Sequence, residues 1–122
     1  MRNLIVVIII LNAFGCADIK QNHLVGNWQG TELLENGRPL EADIQVVRFY
    51  FAENNQYQYH GTLNYQEAGT YHLNANYLYT TDTLNQATTE KAVEIVHLTP
   101  DSLVIKMNDS GKERIMKLAK VN

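Results

Sequence analysis

The strongest constraint on the fold is a series of short runs rich in Val, Ile, Tyr, Phe and Thr, which begins at Leu24 and continues to the end of the chain. Segments rich in Asn, Asp, Gly and Pro separate these runs at fairly even spacing. Such an alternation of strand-forming runs and turn residues is typical of an antiparallel sandwich or barrel. No long helical period interrupts it, so the sequence predicts an all-β domain.

The turn residues delimit eight predicted strands, each short enough for a small sheet. They are Leu24–Leu34, Ile44–Phe51, Gln56–Asn64, Ala68–Leu73, Tyr77–Thr81, Thr89–Leu98, Ser102–Met107 and Glu113–Val121. Because every connection is short, each strand is expected to pair with its sequence neighbour in an up-and-down meander. Such strands can close into a small antiparallel β-barrel, which removes exposed edges, and an open β-sandwich is the alternative architecture.

A two-residue alternation predicts which side chains face the interior. It is clearest in the third strand, where one face carries Tyr57, Tyr59, Gly61 and Leu63 and the other carries polar residues. The same reasoning predicts inward-facing residues on three other strands: Val47, Phe49, Phe51, Leu103, Ile105, Met107, Met116 and Leu118.

The first sixteen residues have the pattern of an export signal. Arg2 supplies a positive charge, and residues 4–11 are all Leu, Ile or Val, a run that is long enough for a signal peptide but too short for a spanning helix. The segment ends in Ala13-Phe14-Gly15-Cys16, which resembles the bacterial lipobox, whose Cys is acylated through its sulfur and becomes the mature N-terminus. The resemblance implies a lipoprotein signal peptide over residues 1–16, a short tether over 17–23 and a domain over 24–122.

Ordinary signal cleavage after Gly15 is the alternative, and it would leave Cys16 as a free thiol. Lipidation is favoured because Cys16 is the only cysteine of the chain and stands where a lipobox requires it. We therefore expect an exported protein of the cell envelope, held at a membrane by a lipid anchor. The outer membrane is the expected destination, and the inner membrane is left open.

The predicted domain opens with Gly26-Asn27-Trp28, which resembles the Gly-x-Trp signature at the start of lipocalins and fatty-acid-binding proteins. With the strand pattern that follows, the chain resembles the small lipocalin-like lipoproteins of Bacteroidota-type bacteria. The resemblance implies that Trp28 packs across the closed end of the barrel and that an Arg from the last strand, here Arg114, lies against its ring. It therefore assigns structural roles to Gly26, Trp28 and Arg114.

A small barrel either fills its own interior or holds one small ligand. The resemblance favours binding of an apolar or amphipathic ligand, with a wall formed by Phe49, Phe51, Tyr57, Tyr59 and Leu63. Seven tyrosines, concentrated in the middle strands, suit such a wall but are also ordinary strand formers. The alternative is a non-catalytic envelope interaction module, in which a filled barrel serves as a scaffold and the outer surface binds another protein.

Charge and motif content argue against several other functions. The chain has ten Lys and Arg against thirteen Asp and Glu, so a nucleic-acid partner is not expected. The four His residues lack metal-ligand spacing, and no cofactor motif is present. The two serines after the signal segment lie at turns, and no carboxylates are paired, so the sequence does not predict an enzyme.

Overall fold

A computed structural model describes residues 20–122 of the protein. The predicted signal peptide and Cys16 lie outside the described residues. The first element, helix α1 (Gln21–Leu24), begins within the stretch predicted to be a tether. Among the described residues, no helix is long and apolar enough to span a membrane.

Nine strands follow the helix within the described part of the chain. They are β1 (Gly26–Glu35), β2 (Arg38–Pro39), β3 (Arg48–Phe51), β4 (Gln56–His60), β5 (Gln66–Asn74), β6 (Tyr77–Asp82), β7 (Lys91–Leu98), β8 (Ser102–Asp109) and β9 (Lys112–Val121). Two short 3-10 helices, Ile44–Val46 and Thr62–Asn64, precede β3 and β5.

The strands form a closed antiparallel barrel. Each of β3 to β8 pairs with the next strand in sequence, β1 pairs with β3, and β1 also pairs with β9 to close the sheet. The remaining strand, β2, pairs only with the end of β1, where Leu34 lies opposite Pro39. The prediction of an eight-stranded up-and-down barrel is confirmed, with one extra strand outside the closed circuit.

The extra strand results from a turn that was predicted to be a simple connection. Asn36 and Gly37 both have positive φ angles, 50° and 83°. Positive φ at both central residues is the geometry of a two-residue hairpin turn, which Asn-Gly favours. The chain therefore folds back on β1 before it crosses to β3.

The interior follows the predicted alternation in most places. Phe51, Leu103, Ile105, Met116, Leu118 and Val47 are buried, and Phe49 and Met107 pack against this core. All twelve buried apolar side chains of the described region lie between Leu24 and Leu118. The closed sheet and this core therefore both lie within residues 20–122, which define the barrel domain.

The prediction for Leu63 is wrong. Its side chain is 98% exposed, because β4 ends at His60 and the chain then turns through left-handed conformations at Leu63 (φ 57°) and Asn64 (φ 61°). A strand cannot continue through this geometry, so the alternation no longer applies at Leu63.

One end of the barrel is closed by α1 and Trp28. Both Leu24 and Trp28 are fully buried, and the indole Nε1 donates a hydrogen bond to the Leu24 carbonyl at 2.8 Å. Gly26 of the Gly-x-Trp motif has a φ of 134°, which side-chain-bearing residues rarely adopt. The motif thus turns the chain from the helix into β1 and places Trp28 over the closed end.

The predicted partner of Trp28 is also wrong. Trp28 lies opposite Lys120 in the pairing of β1 with β9, and the Lys120 ammonium is 4.7 Å from the ring centroid of Trp28. Arg114 faces the interior too, but it lies near the start of β9, opposite Glu35 at the other end of the barrel. The cation over the indole is therefore a lysine, and Arg114 belongs to the open end.

Candidate functional site

The open end of the barrel holds a cavity of about 440 Å³. Its lining residues lie towards the ends of β4, β6 and β8 and towards the starts of β3, β5, β7 and β9. The floor of the cavity is apolar and is formed by residues of four strands: Leu78, Val93, Ile105, Met107 and Met116. An apolar floor beneath a few polar groups is the usual composition of a small-molecule site.

A buried carboxylate forms one side of this cavity. Glu67 lies on the inner face of β5 with only 7% of its surface exposed. The Tyr57 hydroxyl donates to Glu67 Oε1 at 2.8 Å, and the Tyr65 hydroxyl donates to Oε2 at 2.6 Å. Lys91, the first residue of β7, forms an ion pair with the same Oε2. This cluster joins three strands and the connection from β4 to β5.

The hydrogen bonds keep Glu67 ionised. Burial acts to raise the pKa of the carboxyl, but hydrogen bonds from Lys91, Tyr65 and Tyr57 outweigh burial and hold the pKa below its usual value. The hydrogen bond to Glu67 is the main reason that the Tyr65 pKa rises to about 12. Burial, followed by the contact with Glu67, raises the pKa of Tyr57 as well. At neutral pH both phenols are therefore donors to a charged carboxylate.

A second charged group lies at the same end. Arg114 Nε donates to Glu35 Oε1 at 3.0 Å, and Arg114 Nη1 lies 3.2 Å from Asp109 Oδ2. These residues come from β9, β1 and β8, so the contacts join three strands that meet at the open end. Arg114 and Asp109 both line the cavity. The Asp109 side chain is 56% exposed and is therefore accessible to a ligand.

Only part of the predicted ligand wall lines the cavity. Phe49 and Tyr59 line the cavity, with ring centroids 4.6 Å apart. Phe51 is fully buried deeper in the barrel, where its ring packs edge-on against Tyr71. Tyr57 is also buried, and it contributes to the site by donating a hydrogen bond to Glu67. Leu63 lies outside the barrel, in the β4–β5 connection. Two of the five residues thus contact the cavity directly.

The charged members of this site were not predicted from the sequence to be cavity residues. Alternation on β9 places Arg114 on the same face as Met116 and Leu118, and on β7 it places Lys91 with Val93 and Ile95. Glu67 shares the face of Tyr71, but the predicted strand began at Ala68, two residues after the observed start at Gln66, and so excluded Glu67. These residues could have been predicted from the alternation, because each is an ionisable residue at a strand position whose alternating neighbours are buried apolar residues.

The outer face of the barrel offers weaker candidates. A depression of about 570 Å³ is lined mainly by polar side chains that point outward from β1, β3 and β4, among them Gln29, Arg48 and His60. On β5 and β6, His72 stacks on Tyr79 with ring centroids 4.9 Å apart. Within residues 20–122, no three His, Cys, Asp or Glu side chains are grouped so that they could hold a metal ion.

Comparison with known proteins agrees with this architecture. A family model for a lipocalin-like domain matches residues 24–105. Among solved structures, the chain is similar to a lipocalin-like protein from Bacteroides uniformis ATCC 8492, with a TM-score of 0.58 and 14% identity. That match covers 78% of this chain and 97% of the other, and at this identity it establishes the fold alone. No curated protein matches the chain.

Proposed function

Because the chain belongs to the lipocalin-like domain family, we propose that it is a lipid-anchored protein of the cell envelope whose barrel binds a small amphipathic ligand at its open end. The observation that carries this proposal is the cavity of about 440 Å³, with its apolar floor and charged rim. Small-molecule sites have volumes of about 300–1,000 Å³ and a few convergent polar groups, so the size and the lining both fit. No catalytic step is part of the proposal.

Cavity binding is tested by filling the cavity in the barrel domain, residues 20–122. Val93 lines the cavity, whereas Val96 lies on the same strand but is 52% exposed on the outer surface. We expect Val93→Trp to abolish binding of an uncharged fluorescent probe such as N-phenyl-1-naphthylamine, and Val96→Trp to leave it unchanged. Equal binding by both variants, with the fold intact by circular dichroism, would contradict a site inside the barrel.

Native mass spectrometry provides an independent test with the natural ligand. The domain is produced in its own host with export and without the anchor, and its mass is compared with the mass calculated from the sequence. We expect a small-molecule adduct that disappears on denaturation and is absent from Val93→Trp. An adduct retained by Val93→Trp would place the ligand elsewhere on the protein.

The proposed anchor is supported by the lipobox resemblance at Cys16. The described chain enters the barrel through α1 at the closed end. An anchored barrel would therefore be attached by its closed end, with the cavity opening away from the membrane. Labelling cells with a palmitate analogue should mark the full chain but not Cys16→Ser. Reaction of the wild-type protein with a thiol reagent at Cys16 would indicate ordinary signal cleavage instead.

A second candidate function is a non-catalytic interaction module, and exposed apolar side chains on the loops of the open end favour it. Leu63 is 98% exposed in the β4–β5 connection, and Leu84 is 55% exposed in the β6–β7 connection. Such residues are typical of contact surfaces when they are contiguous. If a protein partner binds here, Leu63→Ser with Leu84→Ser should abolish its crosslinking in the envelope while probe binding in the cavity persists.

A further inference from the structure

The charges around the cavity indicate which head group the ligand carries. Resting on the proposed function, we propose that the ligand is a cationic amphiphile: an amine or ammonium head held at the rim by Asp109, beside the Arg114–Glu35 pair, with an apolar tail on the floor of the barrel.

Both cations that line the cavity already have carboxylate partners. Lys91 pairs with Glu67, and that carboxylate also accepts hydrogen bonds from two tyrosines. Arg114 contacts two carboxylates, Glu35 and Asp109. An anionic head group would have to displace one of these partners and leave a carboxylate without its cation, which is unfavourable inside a partly buried site.

Carboxylates outnumber cations in this group. Three acidic residues, Glu35, Glu67 and Asp109, face two basic ones, Lys91 and Arg114. Within these ion pairs, one carboxylate is therefore left without a cation of its own. The shared cation is Arg114, whose guanidinium contacts both Glu35 and Asp109, and Asp109 is the accessible partner. A ligand cation placed here would balance the charge without breaking an existing pair.

The aromatic wall favours the same head group. Phe49 and Tyr59 line the cavity together with Asp109. An ammonium near an aromatic face is attracted by the ring quadrupole, most strongly where water is partly excluded. The apolar floor below, including Leu78, Ile105 and Met116, provides the surface for a tail.

The test compares three ligands with one tail. Dodecylamine, dodecanol and laurate, each below its micellar or solubility limit, compete with N-phenyl-1-naphthylamine for the barrel domain at pH 7 and low salt. We expect the amine to bind about fivefold more tightly than the alcohol and the alcohol more tightly than laurate, since a partly exposed ion pair contributes about this factor. Added salt should reduce the difference between amine and alcohol.

Two charge-removing variants locate the effect. Asp109→Asn should lose the preference for the amine and bind laurate more tightly, because Arg114 then has one carboxylate partner fewer. Glu113→Gln removes the same charge from the outer face of the neighbouring strand, where Glu113 pairs with Lys106. It should therefore retain the preference of the wild-type protein.

The outcomes separate the head-group inference from the proposed function. Laurate binding as tightly as the amine, or an amine preference that Asp109→Asn leaves intact, would overturn the cationic head group but leave the cavity as a binding site. Failure of the uncharged probe and of all three ligands to bind would overturn the proposed function itself.

Discussion

The two ends of this barrel are built from opposite kinds of side chain. At the closed end, Trp28, Leu24 and Phe51 are fully buried, and the Lys120 ammonium lies over the indole ring. At the open end, Glu67, Lys91 and Arg114 point into the same interior that these apolar residues fill below. The same strands therefore enclose a packed apolar core at one end and a cavity with charged lining residues at the other.

The difference separates stability from binding within one small domain. Apolar burial stabilises the closed end without specific partners. Charges inside the open end must be paired and hydrogen-bonded to be tolerated there, and they contribute little net stability compared with apolar side chains of similar size. We therefore expect substitutions at the closed end to affect the free energy of unfolding most, and substitutions at the open end to affect binding most.

The largest effect is expected for Trp28→Ala. Removing a fully buried indole, together with its hydrogen bond to Leu24, should reduce the free energy of unfolding by about 3–5 kcal/mol, as measured by urea denaturation. Tyr59→Ala at the open end should lower it less, because Tyr59 is only partly buried and lines an existing cavity. Equal losses in the two variants would remove the distinction between the two ends.

Glu67→Ala should have the next largest effect on stability. The substitution leaves the buried Tyr57 hydroxyl without its acceptor, and an unsatisfied buried donor costs about 1–3 kcal/mol. Lys91→Met is the comparison: its side chain is 56% exposed, and Glu67 keeps both tyrosine donors without it. Urea denaturation should therefore show a smaller loss for Lys91→Met than for Glu67→Ala. The reverse order would mean that the lysine, and not the tyrosines, supports the carboxylate.

We expect the free energy of unfolding to decrease as the pH falls into the acid range, because Glu67 at the open end becomes protonated. The folded pKa of Glu67 lies below its unfolded value, so the unfolded chain binds more protons between the two values. The stabilisation is complete above the unfolded pKa, which is about 4.3, and is lost as the pH falls through the folded pKa. Denaturation midpoints of Glu67→Gln measured from pH 6 to pH 3 should therefore fall less steeply than those of the wild-type protein.

Asp82 provides the internal control for that measurement. Burial acts to raise its pKa, but hydrogen bonds from the Asn85 side chain and backbone and from the Ala68 amide lower it overall. Asp82 shifts in the same direction as Glu67, so Glu67→Gln should retain part of the acid sensitivity. Glu67→Gln with Asp82→Asn should show the shallowest dependence, and an unchanged slope in this double variant would contradict the assignment to these carboxylates.

The sequence predicted the barrel because its strands are short, alternate regularly and connect neighbours. It was less informative where backbone dihedrals override the pattern: Leu63 continues the alternation of β4 but lies in a left-handed turn. It was also less informative where tertiary pairing selects a partner. Both Arg114 and Lys120 share the inner face of β9, and only the register of β9 with β1 places Lys120 opposite Trp28.

The smallest effect is expected for Lys120→Met, which tests whether the closed end needs its cation. Lys120 lies over the Trp28 ring and donates a hydrogen bond to the Val25 carbonyl at 2.9 Å. A methionine retains the apolar stem, so urea denaturation should show a loss of about 0.5–1 kcal/mol, the contribution of an ordinary cation–π contact. A loss as large as that of Trp28→Ala would mean that charge, and not apolar packing, holds the closed end. Because Lys120 is far from the cavity along β9, the same variant should bind the uncharged probe as the wild-type protein does.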